Sequence, residues 1–289
     1  MLENTSQSEI DLKAFPPAVK LQRVNGAAAV SLKKPPQRKR TCLDKLYQQG
    51  SAKLRFPKTY EEHTQAVLIN TAGGLTGGDR LEWNIELGEN TKAVATTQAC
   101  EKILAAADGM ASVTTRIRVG PGADFHWLPQ ETILFNNSAL KRTLSVELAH
   151  NARFIGLEAC MLGRQAMGET VGNCYLHDRW RISREGKLIF ADDVKLEDDI
   201  REIETATALL NNNKAWATIL YAGTEDVDQL DAIADKLRQA SEGKTCGISA
   251  FENKLVIRAA SRDFYELRQL VIPLLSNLPG CELPKIWRI

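Results

Sequence analysis

The sequence predicts a mainly β fold: a helix-like stack of β-strands and hairpins, closed by a C-terminal α+β lobe that carries two α-helices. Three observations carry that expectation. From about residue 60 to 200, Val, Ile, Thr and aromatic residues alternate with polar ones, as in SVTTRIRV, RTLSVELA and RWRIS, which is the period of a half-buried strand. A nine-residue pattern also recurs. IELGENTKA (from Ile85), IRVGPGADF (from Ile117) and VELAHNARF (from Val146) each run apolar, polar, apolar, small, turn, small, polar, apolar, and ISREGKLIF (from Ile182) is a weaker fourth copy. Their starts lie 32, 29 and 36 residues apart. Strand–turn–strand units at such a period cannot each close a core and are expected to stack on their neighbours. The last third of the chain changes texture, to strand, helix, strand, strand, helix.

In chain order, residues 1–18 are polar and acidic and end at Pro16-Pro17, which reads as a mobile lead-in. Residues 19–289 read as one domain, with the stacked β region over 19–205 and the lobe over 214–289. KKPPQRKR (33–40) reads either as a solvated connection between two strands or as a patch for docking a partner. In the lobe, Trp216–Tyr221 reads as a strand. Thr224 is placed to cap a helix with Glu225, Asp226 and Asp228 in its first turn and Val227, Leu230, Ile233, Ala234 and Leu237 on one face; Gly243 follows it. CGISAF and KLVIRAA flank Glu252-Asn253 as a hairpin. Ser261 then opens a second helix with Phe264, Leu267, Leu270, Val271 and Leu274 inward, and Pro273 should kink it or end its regular part.

Composition excludes several function classes. Of the 289 residues, 44% are apolar and 25% charged, the balance of a globular protein. With 37 Lys and Arg against 36 Asp and Glu, the formal charge is only +1, which argues against nucleic acid as a partner. No apolar run is long enough for a membrane helix and the N-terminus lacks the apolar core of a secretory signal, so the expected address is the cytoplasm. The six cysteines and four histidines are scattered, without the spacing of a preformed zinc site. Cys174, His177 and Asp178 are the nearest approach to one, and read otherwise as a strand edge or turn.

The densest motif is Ile69–Leu81, INTAGGLTGGDRL. Its glycines invite a phosphate-loop reading, but Gly78 is followed by Asp79 where a phosphate needs a cation, so tight bends against another backbone are the better account. Asp79 is either a turn-capping carboxylate or an inward-facing ligand. Signals for a serine or cysteine nucleophile are absent. Glu158 and Glu169 lie eleven residues apart around Arg164, and Asp192-Asp193 follow. Such acids could pair for general acid/base work or offer oxygen ligands to a divalent metal; equally, Glu158 or Glu169 could simply pair with Arg164. A β-solenoid hydrolase using paired carboxylates among Asp79, Glu169 and Asp192 is the alternative reading of function.

NTAGGLTGGDRL, TTQACEKIL, WLPQETILF, LGRQAMGET and the closing PKIWRI resemble, in order, the signature blocks of the urease accessory protein UreD (UreH) family over roughly residues 60 to 289. The resemblance implies a helix-like β stack with two helices. It also implies a cytoplasmic, non-enzymatic factor needed for urease maturation, acting in a complex with UreF-type and UreG-type proteins that delivers nickel to apo-urease, with neither nucleic acid nor membrane as a partner. Nickel would be cargo in transit, and no cofactor would be tightly bound. Position by position, the acids along the family's internal passage correspond to Asp79, Glu158, Glu169 and Asp192, with Asp193 as a register alternative to the last. Two departures stand out: the first dozen residues extend beyond the family's usual start, and Cys100-Glu101 occupy positions where small or polar residues are common, which makes them unassigned possible nickel contacts.

Overall fold

Period-two strands that cannot bury both faces alone find their partners by winding. In the computed structural model, which describes residues 22–164, 167–197 and 199–287, the chain coils repeatedly between two facing sheets; the expected lead-in at 1–18 lies outside the described residues. The strands of the coil are β1 (Asn25–Lys33), β2 (Cys42–Gln49), β3 (Ala52–Arg55), β4 (Thr64–Asn70), β5 (Arg80–Leu87), β6 (Lys92–Thr97) and β7 (Glu101–Ile103). They continue with β8 (Ala111–Val119), β9 (Asp124–Trp127), β10 (Thr132–Leu134), β11 (Ser138–Leu148), β12 (Arg153–Leu162), β13 (Cys174–Arg184) and β14 (Lys187–Leu196). KKPPQRKR connects β1 to β2.

One sheet has seven strands in the order β14-β13-β11-β8-β5-β1-β2. Each parallel coil leaves it through a four-residue turn, at 88–91, 120–123 and 149–152, and enters the facing sheet. The recurring nine-residue pattern is this crossing. Ile85 pairs with Ile117 and Ile117 with Val146 in one sheet, while Ala93 pairs with Phe125 and Phe125 with Phe154 in the other. The fourth copy departs from the rule. Ile182 continues the row beside Val146, but Glu185 and Gly186, with φ of 49° and 72°, turn the chain back so that Phe190 pairs with Ile182 in the same sheet. A two-residue turn with both φ positive matches the twist of an antiparallel hairpin, not a crossing.

The lobe grows from the second sheet. After a short helix α1 (Ile200–Thr205) come β15 (Ala215–Ala222), α2 (Val227–Ala240), β16 (Cys246–Phe251), β17 (Lys254–Ser261) and α3 (Phe264–Ser276), then a 3₁₀ turn at Lys285–Trp287. Strand β15 pairs with β12, so the ten-stranded sheet runs β16-β17-β15-β12-β9-β6-β4-β3, with β10 and β7 beside β12. Helix α1, which the apolar pattern does not announce, is capped by the Asp199 carboxylate. Helix α2 is capped by Asp226, in a box with Gln229, and not by Thr224; α3 is capped by Asp263 and not by Ser261. In both cases the chain takes the carboxylate that reaches the third helical amide. Val227 is consequently exposed, whereas Leu230, Ala234 and Leu237 are buried. Pro273 sits inside α3 one turn from its C-terminal end, so the Gln269 carbonyl lacks its helical N–H partner, and the helix still runs on to Ser276.

Two apolar layers result. One lies between the sheets and holds Phe125, Phe154, Leu162 and Trp180; the other lies between the ten-stranded sheet and the helices and holds Ile155, Leu157, Leu237 and Leu274. Alternate residues of β12 serve both layers, as expected of a strand covered on each face. Among the described residues no helix is long and apolar enough to cross a membrane.

Candidate functional site

Every coil returns to the seven-stranded sheet through a long loop, and these loops pile up at one end of the stack. Leu75 bridges to Ile103, and its N–H donates to the Lys102 carbonyl at 2.8 Å. Strand β7 pairs with β10 (Glu101 opposite Thr132), and β10 pairs with β12 (Leu134 opposite Leu162). The four sequence blocks beginning at Asn70, Thr96, Trp127 and Leu162 thus become consecutive rungs. The fifth joins them from the helix side, where the buried Trp287 indole N–H donates to the Leu128 carbonyl at 2.9 Å. The loops touch closely: a Cβ at Gly77 would fall 2.0 Å from the Asp108 carbonyl oxygen, so only glycine fits there.

Two of the expected acids lie at this end. Asp79 is 3% exposed; its Oδ1 accepts the Val24 N–H at 2.7 Å and its Oδ2 the Thr76 N–H at 2.8 Å. Of the two roles open to it, this geometry is that of the turn cap. Glu169 accepts from the Arg164 Nε at 2.8 Å, from the Arg164 amide and from the Asn136 amide. Its slight burial acts upward on its pKa, but the Arg164 side chain and these amides outweigh it and hold the carboxyl below its usual range. Glu101 belongs here as well. It accepts from the Asn70 side-chain amide, and burial pushes its pKa up to about 7. Burial likewise raises the neighbouring Cys100 thiol.

The other two acids lie midway along the stack, between the sheets. Arg142 and Asp178 are neighbours in the seven-stranded sheet, with Nε to Oδ1 at 3.0 Å and Nη2 to Oδ2 at 2.6 Å. The same guanidinium reaches across to Glu158 at 2.5 Å, to Thr132 Oγ1 at 2.9 Å and to the Cys160 sulfur at 3.4 Å. Glu158 also accepts the Trp127 indole N–H at 2.9 Å. Burial, reinforced by the Asp178 charge, outweighs the pull of Arg142 and raises the Glu158 pKa to about 7. Thr218 stands opposite both Glu158 and Arg258 in register. Arg258 bonds Thr218 Oγ1 at 3.1 Å and Asp192 Oδ1 at 2.7 Å, which carries the polar seam through to β14. The register alternative, Asp193, instead faces outward to His177 and Arg181.

The structure therefore brings Glu158 and Asp192 onto one seam and Asp79 and Glu169 onto one end. Asp79, Glu169 and Asp192 are each held by a different set of partners, with none of the shared geometry that a two-carboxylate hydrolysis needs. Cys174 and Asp178 point into the core from β13 while His177, at the odd position between them, faces Asp193 outside; they form no common site. All six cysteines are free thiols.

At the opposite end, by the four-residue turns, lies a cluster that sequence reading missed. His63 (just ahead of β4), Asp124 and His126 (both β9) are all buried, and one ligand atom from each lies within 4.8 Å of the others. His63 Nδ1 is 2.8 Å from Glu282 Oε2, and the two imidazoles stack with centroids 4.4 Å apart. His126 Nε2 is 3.2 Å from Asp124 Oδ1. Burial works against charge on His63, but the Asp124 and Glu282 carboxylates outweigh it and raise its pKa; at His126 burial wins and the pKa falls. Burial acts upward on Asp124, yet the neighbouring imidazoles, His126 Nε2 at 3.2 Å from Oδ1 and His63 Nε2 at 3.6 Å from Oδ2, hold it well below the carboxylate range. The signal available in the sequence was Asp-x-His in a strand, which puts both side chains on one face.

Comparison with known proteins adds the following. A family model described as UreD urease accessory protein matches residues 25–288. A urease accessory protein UreD of Rhizobium leguminosarum bv. viciae is 47% identical over 251 residues, covering 86% of this chain and 90% of that protein. One from Agrobacterium fabrum (strain C58) is 43% identical over 272 residues, 94% of this chain and 93% of the relative. Another, from Chelativorans sp. (strain BNC1), is 43% identical over 270 residues, with 93% and 95% covered.

Proposed function

The chain belongs to the UreD family of urease accessory proteins, and on that premise we propose that it is a non-enzymatic scaffold of urease maturation in the cytoplasm. In this reading it joins UreF-type and UreG-type accessory proteins and apo-urease in the complex that delivers nickel to the urease active site, and nickel passes as cargo without being retained as a cofactor. The observation that carries the reading is the family match over residues 25–288. The gathering of the signature blocks into adjacent rungs at one end supports it, because loops tied to one another form a rigid surface for assembly.

For the cargo, Glu158 and Asp192 are the proposed stops along the seam, with Asp79 and Glu169 holding the loops at its mouth. Asp178 and Glu158 share the one Arg142 guanidinium, so this part of the seam has one carboxyl more than it has cations. A single oxygen donor with a pKa near 7 binds a divalent ion weakly and gives it up readily. Co-expressing apo-urease with its accessory set but without this chain is expected to give nickel-poor, inactive urease; full activation without it overturns the proposal. Glu158→Gln in the intact complex is expected to lower the nickel content of urease severalfold, and unchanged loading removes the seam from the path.

A further inference from the structure

The His63–Asp124–His126 cluster is not on that seam. Phe125 and Trp127, which flank His126 along β9, face the layer between the sheets. His126 pairs in register with Val94 and Ile155, both of which face the helix layer. Asp124 and His126 therefore look out of the other side of the ten-stranded sheet, toward the C-terminal segment. Four side-chain atoms there are buried and have no hydrogen-bond partner: His63 Nε2, Asp124 Oδ1, His126 Nε2 and Glu282 Oε1. A buried polar atom without a partner has given up its hydration with nothing in exchange. Three of them face one another, with His126 Nε2 3.2 Å from Asp124 Oδ1 and His63 Nε2 3.6 Å from Asp124 Oδ2, yet none makes a well-formed hydrogen bond, and one cation shared among them would satisfy all three.

We propose that this cluster is a binding site for one divalent first-row transition ion, held by His63 Nε2, His126 Nε2 and an oxygen of Asp124. Two imidazoles and a carboxylate suit nickel or zinc better than magnesium or calcium, which want oxygen alone. His63 is already set for the task. Its Nδ1–H donates to Glu282, which fixes the ring and aims Nε2 at Asp124, where an arriving ion would take the place of a proton, the outer-shell arrangement of many metal-bound histidines. His126 must give up the hydrogen bond that its Nδ1 accepts from the Glu282 amide, which at 3.4 Å is longer than either bond His63 makes to Glu282. Arg153 is the opposing cation, 3.5 Å from Asp124 Oδ2, but it is equally close to Glu225. Two carboxylates, Asp124 and Glu282, therefore face a guanidinium that is itself shared with Glu225.

The surroundings fit an ion that arrives from solvent. A surface cavity of about 370 Å³, lined by Pro57–Gln65 with Arg40 and Thr41, includes His63 together with Glu61 and Glu62. Gly280, at φ 69°, carries the C-terminal segment past the site; a Cβ there would fall 2.7 Å from Arg153 and 3.6 Å from Asp124. A bound ion would thereby tie residues 280–282 to β4 and β9.

The site needs no partner protein, so its failure is distinct from failure of the proposed function, which is read on urease. The full chain, freed of metal with a chelator, is titrated with NiCl2 or ZnCl2, and bound metal is measured by mass spectrometry after gel filtration. The wild type is expected to hold one equivalent more than His63→Asn. An equal content in both, or none in the wild type, overturns the proposal. His126→Asn is a harsher test because the ring is fully buried; should it fail to fold, histidine-labelled wild type decides. Only four histidines are present (His63, His126, His150 and His177), so the ring signals are few. One equivalent of Ni(II) is expected to broaden those of His63 and His126 and spare the other two; unaltered His63 and His126 signals overturn the assignment.

Discussion

The two ends of the stack solve the problem of buried polar groups in opposite ways. At the long-loop end the carboxylates are consumed by the fold. Both oxygens of Asp79 take amides, Glu169 takes an arginine and two amides, and Glu101 takes an asparagine side chain. At the short-turn end, donors converge with atoms to spare. Number alone does not separate them, since Gln130 Nε2, Glu131 Oε2 and Ser138 Oγ are also unpartnered at the long-loop end. Convergence does: among the described residues, the one group of three ligand side chains within reach of a single ion is His63, Asp124 and His126. The difference teaches that the residues which identify a family need not be those left free to bind. Glycine pairs and a turn-capping aspartate specify loop shape, and shape leaves its mark on sequence more legibly than vacancy does.

The seam between the ends gives the largest expected effect. Arg142→Ala strands Asp178 and Glu158 in the interior and should cost about 3–5 kcal/mol, read as a lowered urea midpoint. Replacing all three by apolar residues (Arg142→Met with Asp178→Leu and Glu158→Leu) should cost far less, because no charge remains unpaired. If the single change costs under about 1 kcal/mol, the guanidinium is hydrated and the seam is wet at that point. Next in size is Asp79→Ala, which orphans two amides and should cost about 2 kcal/mol. Hydrogen exchange is expected to speed up at Val24 and Thr76 and to remain unchanged at the far end. His63→Asn, by contrast, removes one hydrogen bond to Glu282 and a long 3.6 Å contact to Asp124, so its cost should stay near 1 kcal/mol. A reversed order, with His63→Asn the more damaging, would mean that the short-turn end is the one consumed by structure.

Much of the fold was legible, because stacking repeats its own register. The pattern shared by Ile85, Ile117 and Val146 is the pairing of three parallel strands, and Ala93, Phe125 and Phe154 pair likewise. The fourth copy misled because apolar spacing is common to crossings and hairpins, and only the Glu-Gly turn separates them. Both helices of the lobe were readable from their apolar faces, but not their caps, since Thr, Ser and Asp all satisfy the pattern and geometry chooses among them. The short helix α1 carries a single buried residue, Ile200, too little for a period to show. The candidate sites were half legible. Glu158 could be suspected, whereas its partner Arg142 lies in a strand that otherwise alternates normally. His63 lies 63 residues before His126 and in no strand, so nothing short of the coil's register could bring them together.

The smallest effect bears on whether the long-loop end is wholly structural. Glu101 has a pKa of about 7 in the folded chain against 4.5 for a free side chain, and burial is the main cause. Between those values the folded state holds a proton that the unfolded state has released, so stability falls as pH rises from about 4.5 to 7 and then levels off. The full shift would correspond to about 3 kcal/mol; because the side chain is only partly buried, about 1–2 kcal/mol is expected. Glutamine keeps an oxygen for Asn70 and carries no charge. Glu101→Gln should therefore match the wild type at pH 5 and exceed it by that amount at pH 8 in thermal or urea unfolding. Glu158 titrates in the same window and in the same sense, so the single variant should retain much of the slope and Glu101→Gln/Glu158→Gln should reduce it further. A variant that is less stable than the wild type at pH 8 would show that the long-loop end needs this charge, as a cation site does and a turn cap does not. That result would erase the contrast between the two ends.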